Sequence, residues 1–336
     1  MKAALGARAV VEFGGIEPNP AYESCLEAAE LARREGVDFL LAAGGGSVVD
    51  ATKLIAAVVP FTGDDPWQLF VQRGVVMPAT ALPFGTVLTL PATGSEMNPI
   101  AVISRRETRE KRAFDSELVY PRFSILDPEV TFSLPPVQVR NGIVDTFVHV
   151  VEQYLTYPAD APLQDRQAEA VFLTLIEEGP KALAHPADYA TRATLMWCAT
   201  HGLNRMLACG VPTDFATHQI GHELTAEYGL VHAESLAVVL PSLWRLRKVA
   251  KLQKLAQFAR RVWAVDEADP EKAADLAIEH TIAFFHTMGM PTRLQDYGIK
   301  AEEAAVIISK RLGTRTLGER KDVTADVAAD ILRLAE

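Results

Sequence analysis

The segment FLLAAGGGSVVD, which occupies Phe39–Asp50, indicates the fold of the first third of the chain. Its apolar start, Phe39–Ala43, is typical of a short buried strand, and three glycines at 44–46 form a turn after it. A helical pattern then runs from about Ser47 to Val59. A strand joined to a helix by a short glycine turn predicts an α/β layer fold with parallel strands.

Segments on both sides of this unit continue the alternation of strands and helices. Helical periodicity is present at Tyr22–Glu35. Short β-like runs predict further strands at Ala9–Phe13, Thr86–Leu90, Ile100–Ser104 and Phe123–Leu126. We therefore expect the first part of the chain to form a sheet with helices packed against it.

The sequence Leu134-Pro135-Pro136 marks the expected boundary between two domains. Two successive prolines stop a sheet region and can open a helix. Long helical periodicities rich in Ala, Leu, Arg and Glu follow, and the last of them is Asp326–Ala335. The prediction is an α/β domain over residues 1–134 and an all-α domain over residues 135–336.

The composition narrows the class of protein. The chain has 336 residues, of which 49% are hydrophobic and 23% charged, as in ordinary globular proteins. A formal net charge of −10 argues against nucleic-acid binding, which needs a basic surface. No run approaches the roughly 18 apolar residues of a membrane helix, and no signal-peptide core is present. Three cysteines without CxxC spacing favour a reducing cytoplasm over a disulfide framework.

The glycine turn has two interpretations. Gly45 and Gly46 allow a backbone to approach a bulky ligand, and the following helix N-terminus offers N–H groups that suit a pyrophosphate. Alternatively, the segment is only a strand-to-helix turn in which Ser47 caps the helix. It matches neither the GxGxxG fingerprint nor a Walker P-loop. The turn alone leaves both interpretations open.

Two further segments could contact a nucleotide. The segment TLPATGSEMN at Thr89–Asn98 follows a predicted strand and supplies hydroxyl groups and a glycine. Taken alone, it is an ordinary loop of small residues. Lys111 could neutralise a phosphate, but it lies in the charge run 109–112, and such runs are usually solvated loops.

Asp145 and His149 are four residues apart within a helical run, Val139–Tyr154. This spacing places both side chains on one helix face, one turn apart. A carboxylate and an imidazole in this arrangement can bind one divalent cation together. They can equally form a hydrogen-bonded pair on a solvated face, which is the commoner occurrence.

His218 and His222 have the same spacing, and a third histidine, His232, follows them. Gly229 is expected to end the helix that carries the pair, so that His232 turns back beside it. Polar groups gathered on apolar helix faces need a common partner, and a metal ion provides one. The spacing does not tell whether His218 or His222 is the ligand.

A nitrogen and oxygen donor set of this kind suits Zn²⁺ or Fe²⁺, and no thiolate is available. The start of a zinc-peptidase motif at His222-Glu223 is not completed, because position 226 is Ala226. The remaining histidines are expected at the surface or in packing, namely His185, His201, His280 and His286.

Together these motifs resemble those of the iron-containing (group III) alcohol dehydrogenases, in particular the branch of butanol dehydrogenases and NADPH-dependent aldehyde reductases. The resemblance runs from about Val10 to the C-terminus. It rests on FGGIEPNP at Phe13–Pro20, AGGGSVVD at Ala43–Asp50, TLPATGSEMN at Thr89–Asn98, NGIVDTFVHVVEQY at Asn141–Tyr154 and ATHQIGHELTAEYGLVHAESLA at Ala216–Ala237.

The resemblance implies a role for individual residues. The implied metal ligands are Asp145, His149, His218 and His232. His222 matches a non-ligand histidine near the nicotinamide and is the candidate catalytic residue. The pyrophosphate would be held by Gly45, Gly46, Ser47 and Asp50, and the rest of the cofactor site would be lined by Thr89, Thr93, Asn98 and Lys111.

The resemblance also implies a fold and an activity. The α/β domain would be a Rossmann-like nucleotide-binding domain with a parallel sheet, and the helical domain would bind the metal. The activity would be hydride transfer between NAD(P)H, with NADP(H) preferred, and short-chain aldehydes or primary alcohols, in a cytoplasmic homodimer. A neutral imidazole at His222 could pass the alcohol proton toward solvent, since its ordinary pKa of about 6.5 suits that work.

Two alternatives and one departure accompany this interpretation. The alternatives are an enzyme similar to glycerol dehydrogenase or dehydroquinate synthase on the same architecture, and a non-catalytic metal-binding remnant. Family members begin with a further strand and a second glycine-rich turn, upstream of the position that matches Met1. We therefore expect the chain to lack that segment, which supplies part of the cofactor half.

Overall fold

The computed structural model describes residues 2–72 and 76–336. The chain forms two compact units. The first contains the residues up to Leu88 together with Ser95–Ile125, and the second contains Thr89–Gly94 together with Leu126–Glu336. The short segment Thr89–Gly94 therefore belongs to the second unit, although it lies within the first third of the sequence.

The first unit combines helices and strands. Its helices are α1 (Lys2–Leu5), α2 (Tyr22–Arg34), α3 (Gly46–Val58) and α4 (Gln68–Val71). The strands are β1 (Leu40–Gly45), β2 (Phe84–Leu90), β3 (Ile100–Arg105), β4 (Glu110–Asp115) and β5 (Phe123–Leu126). The unit is an α/β structure, as the strand–turn–helix pattern predicts.

A three-stranded sheet has the order β1-β2-β5. Backbone hydrogen bonds join the starts of its strands, from Leu40 N to the Pro83 carbonyl and from Arg122 N to the Phe84 carbonyl. Because start pairs with start on both sides of β2, the strands run in the same direction. The predicted parallel arrangement is confirmed for these three strands.

Strand β3 has a different partner. It pairs antiparallel with β4, in a register from Ile100 opposite Asp115 to Arg105 opposite Glu110. Strand β4 was not predicted from the sequence, because the charge run at its start hides the alternation that follows. Pairing with β3 orders this run, and Lys111 is half-buried within it.

The strand expected at Ala9–Phe13 is wrong. The described residues form no strand there, and the side chains of Val10, Val11 and Phe13 are 40–47% exposed. The short apolar run predicts a strand. A strand requires a neighbouring strand for its backbone groups and a packed surface for its side chains, and these apolar groups are left largely in solvent.

The second unit is helical. Its helices are α5 (Pro136–Tyr154), α6 (Pro162–Ala184), α7 (Tyr189–Leu203), α8 (Ala216–Tyr228), α9 (His232–Leu246), α10 (Lys248–Val262), α11 (Pro270–Thr287), α12 (Ala301–Leu312) and α13 (Ala325–Leu334). None of the described helices in either unit is both long enough and apolar enough to cross a membrane. The boundary expected after residue 134 stays a prediction, and residues 126–134 group with the helical unit.

Helix α5 lies in the core of this unit. Pro136 occupies its first turn, as the double proline predicts, and every residue from Gly142 to Tyr154 is buried. Four phenylalanine rings surround Phe147 at centroid distances of 4.9–6.3 Å, namely Phe172, Phe258, Phe284 and Phe285. A helix buried on all sides is held in one position, so polar side chains that it carries are fixed as well.

Gly142 permits a close contact between α5 and the segment Thr89–Gly94. A methyl group at residue 142 would lie well inside van der Waals distance of the Pro91 carbonyl oxygen, which is backbone and cannot rotate away. One turn later, the hydroxyl of Thr146 donates to the Ala92 carbonyl at 3.1 Å. The segment is thereby fixed to α5 next to Asp145.

We expect Gly142→Ala to destabilise the protein. Helix propensity alone would make this change favourable by about 1 kcal/mol, but overpacking against backbone costs about 1–3 kcal/mol. Gly179→Ala on α6 is the matched control, because its methyl group would meet side chains, those of Ile143 and Met288 at 3.3 Å, and no backbone atom. Urea midpoints measured on both variants test this. A rise in the midpoint of Gly142→Ala would contradict the contact.

Candidate metal centre

Three helices of the second unit bring a cluster of ligand-type side chains together. Asp145 and His149 lie one turn apart on α5, as their spacing predicts, and His218 lies in the first turn of α8. Gly229 ends α8 in the left-handed conformation, with φ of 69°, and His232 is the first residue of α9. The predicted turn that returns His232 toward the pair is confirmed.

One oxygen of Asp145 is close to all three imidazoles. Its Oδ1 lies 3.5 Å from Nδ1 of His149, 3.8 Å from Nε2 of His218 and 3.5 Å from Nε2 of His232. These separations exceed normal hydrogen-bond lengths of 2.7–3.2 Å. They match the edges of a tetrahedron of donors around a metal with bonds of 2.0–2.2 Å, which are about 3.4 Å long.

Burial supports the same interpretation. Asp145, His149 and His218 are at most 5% exposed. Within the described chain, Nδ1 of His149 and Nε2 of His218 are buried without a hydrogen-bond partner. Buried imidazole nitrogens that point at one carboxylate oxygen without bonding it need a shared cation. The residues fit a divalent ion such as Fe²⁺ or Zn²⁺.

Glu152, which the sequence analysis did not single out, orients His218. Its carboxylate contacts Nδ1 of His218, which leaves Nε2 of that ring to face Asp145. The same carboxylate accepts hydrogen bonds from the backbone N–H groups of Thr217, at 2.6 Å, and His218, at 3.3 Å. A carboxylate that fixes the tautomer and the helix end of a ligand is a typical outer partner of a metal-binding histidine.

The two buried imidazoles differ in their proton affinity. Burial lowers the pKa of His149 to about 4, against the pull of Asp145. Burial acts in the same direction on His218, but Glu152 and Asp145 outweigh it and raise the pKa of that ring to about 9. At neutral pH His149 is therefore neutral, whereas His218 carries a proton that a metal ion must displace.

His222 lies one turn beyond His218 on α8 and is half-buried. Its ring centroid is 6.3 Å from that of His218 and 5.3 Å from that of His232. The donor atoms that all lie within 4.8 Å of one another belong to Asp145, His218 and His232. Neither His149 nor His222 is in this group, although Nδ1 of His149 lies 3.5 Å from Asp145 Oδ1. The ligand role of His149 and the role of His222 stay predictions.

The glycine turn precedes α3 as the sequence analysis expects. The helix begins at Gly46 with Gly45 before it, and no side-chain cap is present, so Ser47 lies inside the first turn. Both oxygens of Asp50 point inward: Oδ1 accepts from Ser95 Oγ at 2.5 Å and Oδ2 from Val102 N at 2.9 Å. A pyrophosphate at this turn would meet backbone N–H groups of the first turn of α3.

Lys53, which the sequence analysis missed, is fully buried in this unit. Its Nζ donates to Ser95 Oγ at 2.6 Å, Asn98 Oδ1 at 3.0 Å and the Ile100 carbonyl at 2.7 Å. The predicted cofactor residue Asn98 is therefore part of an internal network with Lys53. Lys53 follows Asp50 by three residues on α3, so the two side chains share a helix face. This spacing was the signal in the sequence that could have identified Lys53.

The other predicted cofactor residues lie in different places. Lys111 on β4 donates to Asn19 Oδ1 at 2.8 Å. Thr89 and Thr93 are half-buried and belong to the segment that packs on α5. Their roles toward a cofactor stay predictions.

Two family models together match most of the chain. The model described as iron-containing alcohol dehydrogenase matches residues 1–128, and the C-terminal model of the Fe-containing alcohol dehydrogenase family matches residues 140–334. The protein belongs to the iron-containing alcohol dehydrogenase family. The resemblance inferred from its motifs is confirmed, and with it the order of an α/β unit followed by a helical unit.

Relatives in this family are similar over nearly the whole chain. The NADPH-dependent aldehyde reductase YqhD of Escherichia coli is 51% identical over 99% of this chain and 86% of its own. NADP-dependent alcohol dehydrogenase 3 of Entamoeba histolytica is 42% identical over 94% and 81%. The crystal structure of E. coli YqhD matches with a TM-score of 0.97 over 99% of this chain and 86% of its own, at 51% identity.

A more distant structure of this family has the same fold. NADH-dependent butanol dehydrogenase A of Thermotoga maritima matches with a TM-score of 0.89 at 34% identity, over 97% of this chain and 83% of its own.

We expect His218→Ala to lose most of the bound metal, because Nε2 of this ring faces Asp145 at the centre of the cluster. Metal content per chain, measured by mass spectrometry, checks this. His185→Ala, at the exposed end of α6, is the control and should keep its metal. Equal metal content in the two variants would remove His218 from the ligand set.

Metal binding near pH 7 should release about one proton per ion, because His218 is protonated below about pH 9 and His149 is not. Affinity should therefore rise with pH between 6 and 8. Zn²⁺ titration calorimetry in buffers of different ionisation enthalpy measures the proton count.

Glu152→Gln should bind metal roughly 10–100-fold more weakly, and it should release fewer protons because the pKa of His218 falls. Unchanged affinity and proton count in this variant would show that Glu152 does not orient the ligand.

Proposed function

We propose that the protein is a metal-dependent oxidoreductase that interconverts short-chain aldehydes and primary alcohols with NADP(H), chiefly as an aldehyde reductase. The observation that carries the proposal is the approach of three imidazole nitrogens to Asp145 Oδ1 at 3.5–3.8 Å. The names of the relatives support the rest: one is an NADPH-dependent aldehyde reductase and another an NADP-dependent alcohol dehydrogenase.

The proposed ligand set is Asp145, His149, His218 and His232. One carboxylate and three neutral imidazoles leave a divalent ion with a net charge of about +1, which favours negative charge on a substrate oxygen. When bound, the metal supplies Lewis acidity to that oxygen and the reduced nicotinamide supplies hydride. Glu152 keeps the ring of His218 in the orientation that exposes Nε2 toward Asp145.

We assign proton transfer to His222. It is half-buried and its ring lies beside that of His232, so it is close to the donor group and still reachable by water. An imidazole changes protonation state near neutral pH and can deliver a proton to an alkoxide or remove it from an alcohol.

The proposed cofactor site uses the N-terminus of α3. Backbone N–H groups at Gly46 and Ser47, preceded by Gly45, would hold the pyrophosphate. Asp50 and Asn98 would support the site indirectly, without contacting the pyrophosphate. Their oxygens accept hydrogen bonds from Ser95, Val102 and Lys53, and these bonds order the turn after β2. The rest of the cofactor site would be lined by Thr89, Thr93 and Lys111. We also propose that the protein is a homodimer in the cytoplasm.

NADPH oxidation in the presence of butanal, followed by loss of its absorbance, tests the function. We expect turnover in the metal-loaded protein and its loss after chelation, with recovery when Fe²⁺ or Zn²⁺ is restored. NADPH fluorescence titration separates cofactor binding from chemistry. A protein that neither binds NADPH nor reduces butanal would be a metal-binding remnant instead.

His222→Ala should retain its metal and bind NADPH, but reduce aldehyde about 10²–10⁴-fold more slowly, as expected for loss of general acid–base help. His201→Ala on α7 is the control and should keep full activity. Turnover and metal content are measured on the same preparations. Loss of metal together with activity would mean that His222 is a ligand.

A further inference from the structure

Phe215 stands directly before α8 in a backbone conformation that a phenylalanine rarely adopts. Its φ is 56° and its ψ is 16°, which is the left-handed region. A bulky side chain is strained there, and the backbone relaxes to another region unless the surrounding structure prevents it. His218 follows three residues later, and the two rings lie 5.5 Å apart. A change in this turn would therefore move the start of the helix that carries a proposed metal ligand.

The residue before it, Asp214, is bound by three separate hydrogen bonds. Its N–H donates to the Glu152 carbonyl at 2.8 Å. Its Oδ1 accepts from Ala216 N at 3.1 Å and its Oδ2 from Lys251 Nζ at 2.6 Å. Because one side chain bonds the residue on the far side of Phe215 and is itself anchored, the backbone between them is held in its strained conformation.

Lys251 on α10 supplies the charge that anchors Asp214. It is 5% exposed, and an ammonium has three N–H donors to place. Besides Asp214, its Nζ donates to the Leu155 carbonyl at 2.7 Å and to Glu319 Oε1 at 3.1 Å. Leu155 is the residue that follows α5. A single ammonium thus joins the end of α5 to the turn before α8.

We propose that Lys251 and Asp214 are positioning residues of the metal centre, which hold Phe215 in its strained conformation and thereby place His218 for metal binding. The inference rests on the proposed role of His218 as a ligand. It adds a second device to Glu152: that carboxylate orients the ring of His218, whereas the ion pair fixes the turn from which α8 starts.

The ion pair should act on metal affinity through the strain at Phe215. With the pair intact, the strained turn is present with and without metal, so it does not weaken binding. Without the pair, the turn relaxes in the metal-free protein, and the metal must restore it. A left-handed conformation disfavours a residue with a side chain by a factor of about 5–30 in an equilibrium constant, whereas glycine adopts it readily.

Co²⁺ is the probe, because its visible absorption reports the geometry of its ligands as well as its binding. Lys251→Met should bind Co²⁺ about 10–100-fold more weakly, as for other outer partners of metal ligands, and its absorption per bound ion should change because His218 is displaced. Lys254→Met is the matched control. Lys254 is also on α10, is 6% exposed and pairs with Asp165 at 2.7 Å, away from the turn. This control should keep the wild-type affinity and spectrum even where its melting temperature falls.

A second substitution separates positioning from general stability. Phe215→Gly in the Lys251→Met background should recover at least about fivefold of the lost affinity, because glycine removes the strain that the pair offsets. Phe215→Ala in the same background also removes the ring but keeps the strain, so it should recover nothing. Phe215→Gly alone should leave the metal affinity unchanged.

Asp214→Asn provides the same comparison if Lys251→Met does not fold, since Lys251 then remains paired with Glu319. An asparagine has one side-chain oxygen, which cannot serve both Ala216 N and Lys251, so metal binding should weaken and Phe215→Gly should again restore it. Wild-type affinity in the folded variants, an equal loss in Lys254→Met, or no recovery with Phe215→Gly would overturn the role of the pair alone. A wild type that binds no Co²⁺ would overturn the proposed function together with it.

Discussion

Glu152 accepts hydrogen bonds from the ring of His218 and from the backbone of the helix turn that carries this ring. Because Glu152 is on α5, as Asp145 and His149 are, a single carboxylate sets the position of α8 relative to the other ligands. The arrangement requires α5 to be rigid. Its complete burial among aromatic rings provides that rigidity, so the apolar core and the polar centre depend on each other.

Spacing along the sequence predicted those parts of the centre that one helix determines. Asp145 and His149 share a face because they are four residues apart, and Gly229 ends α8 because only glycine adopts its backbone conformation without strain. Spacing could not separate His218 from His222, which are equivalent on a helical wheel. His218 is distinguished because Glu152 of α5 binds its ring and the N-terminal turn of α8, which is a property of tertiary packing.

The missed elements share a physical cause. Lys53 and Glu152 are of residue types that are usually exposed at the surface. Here each is buried, and several partners compensate its charge. The opposite error occurred at Ala9–Phe13, where a short apolar run predicted a strand and the side chains of Val10, Val11 and Phe13 are exposed. Hydrophobic pattern reports the average preference of a residue, whereas burial of a charge depends on partners that are distant in sequence.

The helical unit is not encoded by one continuous stretch of sequence. Its α5 is complemented by Thr89–Gly94, whose Pro91 carbonyl fills the space above Gly142 and whose Ala92 carbonyl bonds Thr146. Recombination that exchanged everything before residue 126 would import a foreign version of this segment into the helical unit. The incoming residues would have to pack against α5. We therefore expect functional natural chimeras to keep Thr89–Gly94 from the same parent as the helical unit.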